Sequence, residues 1–246
     1  MKYTRGFRIL SALRSTRARE HVIRTLDALA RQPDQTCPCC GHHGQFDSFG
    51  DSPRMGANCT SCESKERHRL FALATSKDFL SFAGLDVLHF APEPPVRQII
   101  LSAHPKTYTT ADFEPGRAEL ELNIEAISLP DESFDRVVCS HVLEHVDDEK
   151  ALAELYRVLR PGGQAIVMIP IVEGWDVTYE DTAIVSPKAR ELHFLQWDHV
   201  RLYGADFRKR AISPGFRLDE YTAGPNDSIE YGLMRGEKIF KLSKDS

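Results

Sequence analysis

The sequence predicts an α/β protein built on a Rossmann-like, doubly wound parallel sheet, with a small metal-stabilised module ahead of it. Two observations carry this expectation. Residues 131–170 place one amphipathic helix between two apolar runs of strand length, Phe134 to Cys139 and Ala165 to Ile169, and four of the six cysteines fall in two CxxC pairs. Between the apolar runs Leu152, Leu155 and Leu159 recur at helical spacing, with Ala151 and Val158 beside them. Asp147, Asp148 and Glu149 crowd the first turn, where the helix dipole favours anions, so the helix starts near Asp147. Pro161 cannot continue it, and Gly162 and Gly163 supply a permissive backbone for the turn into the next strand. Strand, helix and strand joined in this way make a right-handed βαβ unit with both strands in one parallel sheet.

The order SFD, apolar strand, HVLEHV, ELYRVLRPGG and a second apolar strand ending in Pro170 resembles the fourth and fifth strand region of class I S-adenosylmethionine-dependent methyltransferases, of the methyltransferase type 11 kind. The resemblance implies a seven-stranded methyltransferase sheet over residues 66–246, S-adenosyl-L-methionine as cofactor, and methyl transfer as the activity. A cysteine ribbon ahead of an HFAPE-like loop resembles a branch of the same family. The expected organisation is an N-terminal basic amphipathic helix at 1–35, a zinc ribbon at 36–65 and a methyltransferase domain at 66–246 with a lid insertion at 171–200.

At 246 residues the chain has room for one full α/β domain and a smaller module. A hydrophobic fraction of 41% and a charged fraction of 27% are ordinary for a globular protein, and no apolar run approaches the roughly 20 residues of a membrane span. The net charge of -5 argues against a general nucleic-acid binder. Cysteines paired as CxxC point to a metal rather than a disulfide framework, hence to a reducing, cytoplasmic compartment.

The first 32 residues are rich in arginine, and Leu10, Leu13, Val22, Ile23, Leu26 and Leu29 can line one helical stripe. Three readings fit: a helix packed on the main domain, a basic surface docking on an anionic partner or membrane, and an organelle transit peptide. Cys37 and Cys40 in CPCCG, and Cys59 and Cys62 in CTSC, are separated by eighteen residues, the spacing of a four-cysteine structural zinc site. His42 or His43 is an alternative fourth ligand, Cys39 is the spare thiol, and Cys139 belongs to a strand core. Glu66, Arg67, His68 and Arg69 open the next helix as a solvated face, or else Arg67 and His68 point into the cleft toward an anionic substrate group.

Residues 85–90 read as the first strand of the sheet, followed by a helix with Pro94 and Pro95 in or just before its first turn. Where the family carries a GxGxG loop against the methionine end of the cofactor, this chain has Ala91, Pro92 and Glu93, a departure, since alanine does not take positive φ freely and proline lacks a donor. Ala91 and Glu93 are the expected loop contacts. Asp112, at the end of the strand KTYTTA, can accept both ribose hydroxyls or serve as a cap. Asn123 and Ile124 match the family's adenine-recognising pair, a shift of two residues placing Glu125 there instead.

His141 and His145 border the cleft after the fourth strand and are the candidate catalytic groups, His145 as the base for a hydroxyl acceptor. Each can equally cap the helix or pack on the cofactor. The aromatic, acid and histidine interleaving after Pro170 suits a lid over a polar acceptor, or simply packs the insertion. GFRLDEYT and EKIFKLS finish the sheet, the last strand antiparallel as in the family. No NPPY or DPPY follows the fourth strand, which favours a small-molecule or glycan acceptor, methylated at oxygen, over nucleic-acid bases. The alternatives are an RNA methyltransferase docking through the basic helix and ribbon, and a non-catalytic zinc-ribbon adaptor whose cofactor site has degenerated.

Overall fold

A computed structural model describes residues 20–22, 24–26, 33–50 and 54–246. The backbone at 20–22 and 24–26 is helical, and most of the expected basic helix lies outside the described residues.

The cysteine module consists of two antiparallel hairpins. β1 (Gln35–Thr36) pairs with β2 (His43–Gly44), and β3 (Asp47–Phe49) with β4 (Arg54–Asn58). Its buried apolar cluster is Cys37, Phe46 and Cys59, with Cys39 and Cys62 packed against it, too little to order the module through burial. Helix α1 (Glu66–Ser76) follows, and its first turn corrects the expectation of a solvated face: Glu66, His68 and Arg69 are buried. Arg69 is fully enclosed, its guanidinium donating to the carbonyls of Ala57 (3.0 Å), Ser64 (2.6 Å), Gly56 (3.2 Å), Tyr231 (2.8 Å) and Gly232. Five donors meet five carbonyls, so a charge that would be costly to bury is satisfied and bolts the ribbon to the C-terminal part of the chain.

The main sheet begins with β5 (Asp86–Phe90), helix α2 (Pro94–Ser102), β6 (Thr107–Asp112) and the short β7 (Leu120–Glu121). β8 (Phe134–Ser140) leads through a 3-10 turn, Leu143–His145, into helix α3 (Asp148–Val158), which returns to β9 (Leu159–Met168). Asp147 caps α3, its carboxylate accepting from Lys150 N, as the acidic first turn led us to expect. The insertion contributes β10 (Tyr179–Glu180), helix α4 (Pro187–Phe194) and β11 (Arg201–Leu202), β10 and β11 forming an antiparallel pair. Helix α5 (Phe207–Ile212), β12 (Arg217–Tyr221), helix α6 (Pro225–Glu230) and β13 (Ile239–Ser243) complete the chain.

The seven-stranded order is β12-β13-β9-β8-β5-β6-β7, with β13 antiparallel to both neighbours and the other pairings parallel. Neighbouring residues of the central strands enter opposite cores. Leu88, Val137 and Val167 face the layer holding Leu152, Leu155 and Phe207, while Val87, Val138 and Ile166 face the layer holding Phe71, Val96 and Ile100. Both faces are covered, which is why these strands read as continuous apolar runs instead of alternating ones.

One boundary differs from expectation. β9 starts at Leu159, six residues before the apolar run, because Phe134 pairs with Leu159 while Arg136 pairs with Gln164. The extra residues of β9 bulge at Gly162 (φ +77°), and Gly162 N reaches the carbonyl of Lys244 (3.0 Å) while Gly163 O accepts from Lys244 N (2.9 Å). Proline and glycines thus shape a bulge inside the strand and anchor the chain beyond β13. Among the described residues no helix is long and apolar enough to cross a membrane.

Candidate functional site

The chain leaves β5, β6 and β8 on the same side of the sheet, at their carboxyl ends, around a cavity of about 660 Å³. In an open α/β sheet the crevice beyond these ends is where ligands bind. Ala91, Asp112, Asn123, Ile124, His141 and His145, all singled out from the sequence, line this one space, joined by Phe113. Phe113, 72% exposed at the mouth, carries no periodic pattern and was missed.

Two strand exits share an unusual backbone. Ala91 has φ +47° and His141 φ +55°, yet each still donates its N–H to the neighbouring strand, Ala91 to Ala111 O and His141 to Met168 O, both at 2.8 Å. The expectation that alanine would avoid this region is therefore corrected. A left-handed residue other than glycine costs about 1–2 kcal/mol, and the flanking pairings hold it in place.

Glu93 sits elsewhere. It lines an adjoining cavity of about 320 Å³ with Arg67, Ala91, His141, Glu144 and His199. Arg67 binds the Glu93 carboxylate with two nitrogens, Nε at 3.0 Å, and His68 Nε2 lies 3.0 Å from Oε1. Lys65 N donates to His68 Nδ1 (3.1 Å), so the ring proton is on Nε2, facing Glu93. Burial acts to raise the Glu93 carboxyl, but the bonds from His68 and Arg67 outweigh it and hold the group well below the usual carboxylate range. Of the two readings for Arg67 and His68, the structure has them turned inward, fixing the loop that replaces the glycines.

Asp112 Oδ1 accepts from Glu114 N (2.8 Å), and Asn123 Oδ1 from Glu125 N (2.9 Å). Glu125, which lines the same cavity, accepts from Asp147 N (2.8 Å) and so caps the region where α3 begins.

The turn Leu143–His145 is gripped by the end of the insertion. Val200 N donates to Glu144 O (2.9 Å), Arg201 to Leu143 O (3.1 Å) and Val146 O (2.6 Å), and Tyr203 Oη to Leu143 O (3.1 Å) and the buried Asp148 (3.0 Å). This grip delivers Asp198 and His199 to the turn. His145 Nδ1 lies 3.3 Å from Asp198 Oδ2, and the His145 and His199 rings meet edge to face at 4.7 Å. His141 Nδ1 is 3.1 Å from Glu144 Oε1. Burial pushes His199 below its ordinary value. Asp198, Glu144 and His199 stand out by no local pattern, since they meet only through the fold.

A third cavity of about 690 Å³ opens beside His141, between Arg54 of the ribbon, residues 169–173 and residues 234–237. Its unexpected member is Glu237, whose Oε2 is buried without a partner and whose carboxyl burial pushes up to about 7. The native state therefore retains a proton that the unfolded chain releases near the ordinary carboxylate value, so this contribution to stability is complete below about pH 4.5 and lost as pH rises through about 7. Glu237→Gln is expected to leave stability near pH 4.5 almost unchanged and to raise it at pH 8 by up to about 3 kcal/mol. Denaturant midpoints at the two pH values check this, and an equal shift at both contradicts it.

In the ribbon, Cys37 Sγ and Cys62 Sγ are 3.6 Å apart and Cys40 Sγ and Cys59 Sγ 3.8 Å, all four sulfurs lying within 4.8 Å of one another. Four sulfurs at about 2.3 Å around one tetrahedral ion would be separated by about 3.8 Å, so the set fits zinc. The two halves repeat each other: Gly41 N donates to Cys37 O and Glu63 N to Cys59 O, with φ +76° and +58°. Hydrogen bonding with Cys39 and burial raise Cys37 to about 11, and burial pushes Cys40 up to about 12, so a cation must displace protons to bind. His42 and His43 bond to Thr60 (3.0 Å) and Thr36 (3.1 Å) and stand outside the cluster.

Residues 84–167 match the family model described as "Methyltransferase domain". The ubiquinone/menaquinone biosynthesis C-methyltransferase of Klebsiella pneumoniae is 35% identical over 122 residues, covering 48% of this chain and 49% of that protein. The chain thus spans about half the length of the curated relatives it matches. An S-adenosylmethionine-dependent methyltransferase from Mesorhizobium loti superposes with a TM-score of 0.51 at 16% identity, covering 71% of this chain and 97% of its own. The cyclase SpnF superposes equally well, TM-score 0.51 at 16% identity over 91% and 92%. At such identities the likeness is one of fold.

Proposed function

We propose that this chain, which carries a domain of the class I S-adenosylmethionine-dependent methyltransferase family, transfers a methyl group from S-adenosylmethionine to an oxygen of a small-molecule or glycan acceptor. The observation that carries the reading is the convergence of Ala91, Asp112, Asn123, Ile124, His141 and His145 on one cavity at the carboxyl ends of β5, β6 and β8. Asp112 accepts the ribose hydroxyls, Asn123 and the Ile124 backbone meet the adenine edge, and the Ala91 turn borders the methionine end. Glu93 supports that turn through Arg67 and His68. The cofactor supplies an electrophilic methyl on a sulfonium, and the protein aligns a nucleophile with it and keeps water out.

The acceptor enters between the insertion and the ribbon, with residues 171–200 as lid. Trp197 and Leu195 are exposed on that segment while Phe194 is buried, so it presents apolar surface and is anchored at once. His145, held by Asp198, is the group that accepts the proton of an attacking hydroxyl, and His141 with Glu144 supports the turn beneath it. The curated relative is named a C-methyltransferase; the oxygen acceptor proposed here rests on this polar cluster. The four cysteines hold a structural zinc, and the cleft is walled by Arg54 of that ribbon and by Arg67 of α1 behind it.

Methyl-labelled S-adenosylmethionine incubated with the protein and a fractionated cell extract tests the reading. The label is expected in the small-molecule or glycan fraction, in a form stable to mild alkali, as an ether is. Label recovered in RNA, with retention on RNA that falls steeply with salt, would favour docking through the basic segment and overturn it.

A further inference from the structure

We propose that Glu144, His145 and His199 form a second metal site, separate from the four sulfurs, that binds a divalent first-row transition ion in the 320 Å³ cavity beside the cofactor cleft. One donor atom from each of the three residues lies within 4.8 Å of the others. Proximity alone is weak, but the second polar atom of each side chain is already occupied in the way a ligand requires.

His199 Nδ1 lies 3.1 Å from Phe194 O, and a carbonyl only accepts, so Nδ1 carries the proton and Nε2 the free lone pair. His145 Nδ1 faces the Asp198 carboxylate at 3.3 Å, which selects the same tautomer. Glu144 Oε1 is paired with His141 Nδ1 at 3.1 Å, while its Oε2 is buried without a partner in a side chain that solvent does not reach. An anionic oxygen enclosed with nothing to neutralise it is costly, and a cation reached through the adjoining cavity offsets that cost. Carboxylate or carbonyl on the far nitrogen of each imidazole is the usual outer shell of metal-binding histidines.

The scaffold is rigid where it needs to be. Glu144 and His145 sit in one 3-10 turn, and His199 is tied to it through Val200 N and Arg201. The nearby cation Arg67 is committed to Glu93, with two of its nitrogens on that carboxylate. Ligand atoms at about 2.0–2.2 Å from one ion sit closer together than 4.8 Å, so the partly exposed His145 ring would close the set. Two imidazoles and one carboxylate select zinc, iron or manganese over calcium and leave open positions toward the cleft. There an acceptor hydroxyl would complete the coordination; both His145 nitrogens would then be engaged, so the ion, by lowering the pKa of the coordinated hydroxyl, would take over the part given above to His145 as base. That last step rests on the reading of the preceding subsection; binding of the ion does not.

The test uses full-length protein with zinc in the four-sulfur site and Mn2+ or Co2+ alone as the added probe. The parent should take up one further ion per chain. His199→Gln and Glu144→Gln should abolish that uptake while keeping the sulfur-bound zinc, and Asp198→Asn, which keeps all three ligands, should weaken it by about 10–100-fold. Melting temperatures and S-adenosylhomocysteine affinity report whether each variant is folded. A parent that holds only the sulfur-bound ion, or a folded His199→Gln protein that keeps the second one, overturns the site. Uptake of the second ion by a protein that fails to bind S-adenosylhomocysteine sinks the methyltransferase reading and leaves the metal site standing.

Discussion

Replacing Cys37, Cys40, Cys59 and Cys62 together by serine is expected to strip the bound zinc and unfold the ribbon. The cluster buried inside that module is Cys37, Phe46 and Cys59, so an ion held by the four sulfurs would carry its folding; apparent binding free energies of structural zinc in finger peptides are about 10–16 kcal/mol at neutral pH. The damage should spread. Three of the five carbonyls around Arg69, those of Gly56, Ala57 and Ser64, belong to the module or its junction with α1, and losing them would leave a buried guanidinium short of acceptors. A chelator should act like the mutation, more readily at acid pH, where protons compete for the thiolates. Metal analysis and thermal melting check this. A serine variant that melts with the parent, and a parent devoid of zinc, would contradict it.

Asp112→Ala is the second large effect. A carboxylate accepting two hydroxyl bonds contributes on the order of 2–4 kcal/mol, so S-adenosylhomocysteine affinity should fall by roughly 30- to 1,000-fold. Asp112 ends β6 and sits at the cavity wall, half-buried, with Oδ1 fixed by Glu114 N, so its removal should cost binding far more than folding. A variant with parental affinity would remove Asp112 from the site.

The elements that sequence pattern revealed are those whose cause is local. Strands buried on both faces read as apolar runs, the first turn of α3 as an acidic cluster, and the four sulfurs as paired spacings. What escaped depends on long-range meeting. Arg67 and His68 fitted either a solvated face or the cleft, and neither reading included their partner Glu93, which reaches them from the loop beyond β5. His199 and Asp198 reach His145 only because Arg201 and Tyr203 grip the turn before α3, and Glu237 becomes unusual only when the ribbon and the β9 exit enclose it. The early start of β9 was hidden because a bulge breaks the period that would have announced it. Ala91 shows the opposite lesson: a residue that composition argues against adopts the required backbone when its neighbours are paired firmly enough.

Fold alone does not decide chemistry, since a cyclase shares this architecture at the same TM-score as a methyltransferase. The most direct test is calorimetric titration of the parent protein with S-adenosylhomocysteine. One molecule bound per chain, with Asp112→Ala weakening it, is the predicted result. Absence of binding by a folded, zinc-loaded protein would contradict the account.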